Sequence, residues 1–481
     1  LELEQNENKF MRGVAQMPNQ RIRDPLHDLI EFSAFELERT LWKVLQTRPF
    51  QRLRRVKQLG FSDLVYPGAS HSRFAHSVGV FHTARQLMKV IHRHVSQDQE
   101  SKEQRALAAA LVHDLGHGPF SHAFEKVGRR LGLKLADHEN MSDALIREGE
   151  VSVVLNELGS GFANDVADII KKDGIKTVQH AVVSSQFDAD RLDYMRRDRM
   201  MTGSQHAAID FQWLIANLEI GAVPVGVDDM RIGDVETFVL GPKAIYAAEA
   251  FVLGLFQLYP TIYFHKATRG AEKIFTELLV RVVTLVRDGS FGSTGLPERH
   301  PLVRFANRSE DIEVALLLDD AVVWGALTQM SDAADPVVAE FAARLRDRKL
   351  YKCSDIRMQV AHALDPKSNN TDEVIEKIDK CCAGIGAKLT EWTASREDGG
   401  PRILTDIEER SPYKPIGQSK GPLDRINIRT DGGMLVDLKE RSSVVAALKT
   451  YKLFRAYADK TDTATQDTIK RIVEGEIESC R

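Results

Sequence analysis

One stretch constrains this chain more than any other: residues 108–125, AAALVHDLGHGPFSHAFE. Its first half is apolar at helical spacing and ends in two adjacent metal-ligand types, His113 and Asp114. Gly116 is the expected end of that helix, since glycine readily takes the positive φ of a C-terminal cap. His117 follows at once, Gly118-Pro119 is expected to hold a turn, and His122 comes five residues after His117. A partly desolvated His-Asp pair needs a partner to offset its lost hydration. A divalent cation suits that role, because imidazole and carboxylate are both good ligands for it. A helix C-terminus whose dipole favours polar residues accounts for one or two of these histidines. It does not account for a His-Asp doublet followed by two more histidines around glycines.

With 481 residues the chain exceeds one ordinary core, so two or three lobes are expected. Hydrophobic residues at 43% and charged ones at 28% give the balance of a soluble globular chain. A net charge of −4 excludes wholesale coating of nucleic acid and leaves room for a local basic patch. Cys353, Cys381, Cys382 and Cys480 have no CxxC spacing, so neither a zinc knuckle nor a disulfide framework is expected, and a reducing cytoplasm is. LELEQNENKF has neither the basic nor the apolar part of a signal peptide. The chain starts at Leu1; residues 1–20 read as a flexible N-terminus or a cloning remnant, with Met11 as a natural start. The most apolar run, Ala244 to Leu258, is interrupted by Glu249 and reads as too short to span a bilayer, so no membrane contact is expected.

Periodicity predicts a mainly α chain with a smaller C-terminal α+β lobe. Residues 21–29 read as extended with a turn at Asp24-Pro25, and 35–45 as helix. The run FQRLRRVKQL carries Arg52, Arg54, Arg55 and Lys57, which could line an anion site; an ordinary solvated face is the competing reading. His76 is read as opening a helix that runs to His94, and His138 and Glu139 sit near the start of another. Residues 151–179 are expected to be helical. In SSQFDADRLDYMRRDRMMTG, helical spacing puts Asp190, Arg191, Tyr194 and Asp198 on one face, while Asp193 and Arg197 read as an intrahelical ion pair. A helix and a small β element with an Asp228-Asp229 turn follow, then a helix over 242–265 kinked at Pro260. Helix is expected over 271–287, 309–350 and 371–392, with a loop at 288–299 as a candidate boundary. The tail reads as a hairpin over 425–438, turning at Asp431-Gly432-Gly433, and a final helix over 442–457.

His76, His113-Asp114 and Asp190 form the H…HD…D pattern of the HD-domain metal phosphohydrolases. The flanks YPGASHSRFAHS, HDLGHGPFSHAFE, DHE and DADRLDYMRRD resemble the deoxynucleoside-triphosphate triphosphohydrolase branch, which includes dGTPase-like and sterile-alpha-motif/HD-domain enzymes. The resemblance is close over about residues 20–290 and looser beyond. It implies an HD phosphohydrolase core over 21–290, a helical extension over 291–400 and an α+β lobe over 401–481.

By that resemblance, His76, His113, Asp114 and Asp190 ligate one divalent metal: Mn, Fe, Co or Zn, with Mg carried on the substrate phosphates. Arg73, His117, His122, Arg191 and Tyr194 surround the triphosphate. His122 is the acid that protonates the departing ester oxygen, with Glu125 and His138 as its supporting network. Gln58 and Asp198 hold the sugar 3′-hydroxyl, and Tyr263 stacks against the sugar edge. The implied reaction cleaves a dNTP to deoxynucleoside and inorganic triphosphate. It needs a cation to activate water, neutralisation of the phosphates and an acid for the leaving oxygen. Gln51 and Arg54 match an activator-nucleotide site, but Gln46 replaces its guanine-reading aspartate, so the activator need not be a guanine nucleotide. Arg191 stands where lysine is usual, and Tyr259 and Phe264 stand where histidine and glutamine approach the nucleotide. Homo-oligomers (dimer, tetramer or hexamer) are expected by resemblance. Two other readings use the same residues. One is an HD phosphodiesterase or nuclease acting on cyclic or oligomeric nucleotides. The other is a nucleotide-sensing or single-strand-binding protein with a vestigial site, for which the Arg52–Lys57 run is the best feature.

Overall fold

The structure is a computed structural model that describes residues 19–95, 99–171, 177–227, 230–368, 371–394, 400–411, 413 and 425–481. The readings of residues 1–18 and of the Asp228-Asp229 turn lie outside the described residues. The chain is mainly helical, with small sheets. It opens on an antiparallel hairpin, β1 (Gln20–Asp24) and β2 (Asp28–Phe32), and helix α1 (Glu36–Gln46).

The middle of the molecule is α2 (Arg73–His94), capped by Ser72, whose hydroxyl accepts the Ala75 N–H at 3.4 Å. Phe74, Val78, Val80, Phe81, Ala84, Leu87 and Met88 are all buried, so the helix presents apolar residues most of the way round, as a central helix must. Beside it lie α3 (Glu100–Val112), buried from Ala106 to Val112, and α6 (Ala189–Thr202). Between α3 and α6 in sequence come α4 (His122–Leu131) and α5 (His138–Arg147). The region expected as one helical span over 151–179 is broken into Gly149–Leu155, a 3₁₀ turn and Phe162–Lys171, interrupted at Gly159 and Gly161, which both take positive φ.

Helix α7 (Ile245–Leu258) continues through a π-helical turn at Tyr259–Tyr263, where Pro260 has no N–H to give to the helical ladder. The whole helical stretch Pro242–Tyr263 is 22 residues with a mean hydropathy of 1.3, long and apolar enough by composition to cross a bilayer. The expectation that this run is too short is therefore corrected. Its Ala248, Phe251, Val252, Leu258 and Ile262 are buried in the main hydrophobic core, and Glu249 accepts the Ser442 hydroxyl at 2.5 Å. Helix α8 (Lys266–Arg287) packs beneath α4 and against α10 (Pro336–Arg346), which pairs with α9 (Asp320–Ser331). One buried cluster runs through all of these and crosses residues 288–299 at Leu296. A second, smaller cluster joins Val360, Cys381, Ile385 and Leu389 to Phe454, Val473 and Ile477.

Two sheets complete the tail. β3 (Leu218–Val227) and β4 (Met230–Leu240) pair antiparallel, and β4 is joined by the hairpin β7 (Asn427–Arg429) and β8 (Leu435–Asp437), as the Gly432-Gly433 turn leads one to expect. The final-helix expectation over 442–457 is overturned. Only Ser443–Ala447 is helical; Tyr451–Ala458 is strand β9, the centre of a sheet ordered β5 (Lys352–Asp355), β9, β6 (Leu404–Arg410). Residues 453–458, LFRAYA, are buried on both faces, so the alternating pattern of a half-exposed strand is missing and the run imitates a buried helix. Cross-strand pairing on both sides decides it. The last helix is Thr463–Cys480, packed on α11 (Asp372–Ala394).

Candidate active site

The four side chains read as metal ligands meet. Helix α2 carries Arg73 at its first position and His76 one turn in, so His76 lies inside the helix instead of opening it. Helix α3 ends at Val112, which delivers His113 and Asp114 just beyond its C-terminus. The Asp188 side chain caps α6 and sets Asp190 in its first turn. His76 Nε2 lies 2.9 Å from Asp190 Oδ1 and 3.8 Å from Asp114 Oδ2. His113 Nε2 lies 3.4 Å from Asp114 Oδ1 and 3.7 Å from Asp190 Oδ1.

The protonation pattern of the two rings tests whether a cation fits. His76 Nδ1 donates to Asp193 Oδ2 at 2.9 Å, and His113 Nδ1 donates to the Ala110 carbonyl at 3.0 Å. Deprotonated at Nε2, as a metal ligand must be, each ring would turn a lone pair toward carboxylate oxygens. The His113 Nε2 atom is buried with no hydrogen-bond partner. Acceptors gathered face to face need positive charge among them. Burial would lower the His76 imidazole, yet its bonds to Asp190 and Asp193 carry it up to about 10. Burial would raise the Asp114 carboxyl, yet Arg73, His113 and His117 hold it well below the usual range. Two imidazoles and two carboxylates suit a divalent transition metal, and His76, His113 and Asp114 offer ligand atoms within 4.8 Å of one another.

A second group adjoins the first through Asp114, whose Oδ1 is 3.3 Å from His117 Nε2. Glu125 Oε1 accepts from His138 Nδ1 at 2.7 Å and from His122 Nδ1 at 3.0 Å. The His117 and His138 rings stack, 4.1 Å apart. Burial, then Arg73 and His138, keep the His117 imidazole well below its ordinary pKa, so it is neutral. Glu125 is buried, which would raise its carboxyl, but the His122 and His138 bonds keep it ionised. The same carboxylate raises His138 against burial. The His122 side chain is 68% exposed, so its free Nε2 is open to a ligand while Nδ1 is held by Glu125.

Around these groups stand the other expected residues. Arg73 donates from Nε to Ser121 Oγ at 2.8 Å and pairs through Nη1 with Asp114. Arg191 Nη1 donates to the Ser185 carbonyl at 2.9 Å, and Asp188 raises its pKa against burial. Asp198 accepts from the Tyr263 hydroxyl at 2.8 Å and lies 2.9 Å from His71 Nε2. Tyr194 and Tyr263 are edge to face at 6.4 Å, and burial raises both phenols. Gln58 Oε1 is buried with no hydrogen-bond partner. Gln51 and Arg54 form a pair of their own: Arg54 Nε donates to Gln51 Oε1 at 2.9 Å, and its guanidinium lies 3.5 Å over the Phe74 ring. Gln46 is exposed at the end of α1.

Sequence reading missed several members. Asp193 does pair with Arg197 within α6, as expected, but it also holds His76 and accepts from His27 Nε2 at 2.7 Å. Arg197 in turn reaches Asp24 at 2.8 Å. His71 and Ser121 were not singled out either. The one available signal was Asp193 itself, an apolar-flanked carboxylate three residues after Asp190 on the same helix. The expected role of Gly116 is corrected: its φ is not positive. A Cβ there would lie 2.2 Å from the His138 carbonyl and 2.4 Å from the Ser142 N atom, so glycine is needed for the close approach of α5.

Residues 73–198 match the HD domain family, from Arg73 of α2 to Asp198 of α6. An uncharacterized protein, YwfO, of Bacillus subtilis is 33% identical over 334 residues, covering 69% of this chain and 70% of that one. The chain belongs to the HD-domain, dNTPase-like family. The mouse deoxynucleoside triphosphate triphosphohydrolase SAMHD1 is 27% identical over 391 residues, and the match spans 56% of its length. A crystal structure of a phosphohydrolase from Bacteroides thetaiotaomicron aligns with a TM-score of 0.68 at 25% identity, covering 92% of this chain and all of that one. His76, His113 and Asp114 form a group that could hold a divalent metal inside the matched region, with Asp190 beside it.

Proposed function

We propose that this chain is a metal-dependent dNTP triphosphohydrolase that releases deoxynucleoside and inorganic triphosphate. One observation supports the reading: the His76–His113–Asp114 group adjoins a His122–Glu125–His138 group through Asp114 and His117. The named activity of the mouse and other vertebrate relatives supports it. A divalent cation held by His76, His113, Asp114 and Asp190 supplies Lewis acidity toward water and phosphate oxygen.

The chain's own residues do the rest. Arg73, Arg191 and Tyr194 face the triphosphate and offset its charge. His122 donates a proton from Nε2 to the departing sugar oxygen, and Glu125 orients the ring through Nδ1. Neutral His117, stacked on His138, stands beside Asp114 as a hydrogen-bond donor to the phosphates. Asp198, fixed by Tyr263 and His71, accepts the sugar 3′-hydroxyl beside Gln58. Gln51 and Arg54 are candidates for a second, activating nucleotide.

One incubation tests the reading. Purified protein is given Mn²⁺ or Mg²⁺ and each dNTP in turn, and the products are separated. Inorganic triphosphate with free deoxynucleoside is expected. Pyrophosphate, or turnover of cyclic or oligomeric nucleotides only, would assign the chain to the phosphodiesterase reading instead.

A further inference from the structure

The turn that delivers His122 is an unusual piece of backbone. Phe120 and Ser121 both sit at φ 54°, a region that bulky side chains rarely adopt. Ser121 is the residue before α4, and His122 is that helix's first position. The direction in which the imidazole leaves the backbone is therefore set by these two residues, and something must hold them there.

Part of the hold is packing: the Phe120 ring stacks on Phe61 at 4.0 Å. The other part is polar. Asp320, 3% exposed on α9 and outside the region matched as HD domain, reaches beneath the turn. Its Oδ1 accepts the Phe120 N–H at 2.8 Å, and its Oδ2 accepts the Lys57 N–H at 2.9 Å. From the opposite side the Ser121 hydroxyl reaches the Lys57 carbonyl at 3.3 Å and accepts from Arg73 at 2.8 Å. One carboxylate thus ties the segment ahead of Gln58 to the segment ahead of His122. Burial raises its carboxyl to about 7 in spite of both bonds. The neighbouring Asp319 does the ordinary work of the helix end, capping Val322 at 3.0 Å and pairing with Arg55 at 2.5 Å.

We propose that Asp320 is a positioning residue for His122, clamping Phe120 and Lys57 so that the catalytic imidazole meets the leaving oxygen. The catalytic part of this statement rests on the dNTPase reading. The clamp itself does not.

The test compares Asp320→Asn with Asp319→Asn in the full chain. Asparagine keeps one acceptor oxygen and turns an NH₂ against the other N–H, so one arm of the clamp is lost with little change of volume. Asp320→Asn is expected to lower kcat for dNTP at least about tenfold, with KM within about threefold and bound metal unchanged. Asp319→Asn is expected to lower thermal stability with kcat nearly intact. Equal kcat in Asp320→Asn and wild type, or equal losses in both variants, overturns the proposal. Hydrogen exchange decides the clamp without any substrate: peptides spanning residues 116–123 should exchange faster in Asp320→Asn and not in Asp319→Asn. Unchanged exchange overturns it. Wild-type protein that releases no triphosphate from any dNTP removes the functional reading alone, and the exchange result then stands by itself.

Discussion

Asp193 holds His76 by its far nitrogen: the carboxylate accepts from Nδ1 at 2.9 Å, so Nε2 is left facing Asp190 and the proposed metal site. Such carboxylate–histidine contacts fix the tautomer and raise the basicity of a ligand. Asp193→Asn can present its amide NH₂ to Nδ1 and so allow the wrong tautomer. The expected result is a loss of about 10–100-fold in metal affinity, read by titrating the apo protein with Mn²⁺ or Co²⁺. An unchanged dissociation constant would mean that the bond is structural only.

Removing a ligand and removing the acid should have separable effects. Asp114 lies in the cluster and is bound by Arg73; Asp114→Ala takes away one of the proposed ligands and leaves Arg73 without its carboxylate. Bound metal and turnover should fall together. His122 bonds to Glu125 through Nδ1, lies edge-on to His117 and His138 and is mostly exposed, so His122→Ala should keep the metal and the fold. Its rate should drop by about 10²–10⁴-fold, the usual worth of a positioned acid. Metal analysis beside steady-state rates distinguishes the two; a His122→Ala rate near wild type would remove the acid from the mechanism.

The contact between α8 and strand β6 makes a pH prediction. Arg269 donates to Asp406 at 2.9 Å and to Glu408 at 2.7 Å. Burial would raise the Asp406 carboxyl, but Arg269, with Lys273 and Lys126 nearby, holds it at about 2, against an ordinary 3.8. The folded-state value is depressed, so the contribution is fully present above about pH 4 and is lost as pH falls through about 2. That gap corresponds to about 2 kcal/mol. Asp406→Asn should therefore be less stable than wild type at pH 7 and should show a shallower acid dependence between pH 4 and 2. Thermal melts across that range check it, and parallel curves for the two proteins would contradict it.

Much of the cluster could be read in the chain because its members sit at helix ends with fixed spacing. His113-Asp114 closes a buried apolar helix, and Asp190, Arg191, Tyr194 and Asp198 lie on one face of α6. What could not be read are contacts made across the fold. Asp193 and Arg197 are four residues apart and looked complete as a pair; nothing local announces that His76 and His27, each more than a hundred residues away, share the same carboxylate. Asp320 is hidden for the same reason, being 200 residues from the amide it holds. The tail misled in another way. Strand β9 is buried on both faces, and without alternation its sequence carries no sign of the sheet that forms around it.

Gly79 shows how tightly this cross-fold network is packed. A Cβ at this position of α2 would lie 2.2 Å from both Arg197 Nη2 and Asp193 Oδ1. Alanine would ordinarily stabilise the middle of a helix by about 1 kcal/mol relative to glycine. Here the methyl group meets two side chains that cannot retreat, since Arg197 is fully buried and bound to Asp24, and Asp193 is bound to His76 and His27. Overpacking of that kind costs about 1–3 kcal/mol, which exceeds the helical gain. Gly79→Ala should therefore lower the melting temperature. It should also weaken metal binding, because the least costly relief is a shift of Asp193 away from His76. A melt and a Co²⁺ titration on the same sample check both halves; a stabilised protein with unaltered metal affinity would mean that α2 and α6 are not in this close register.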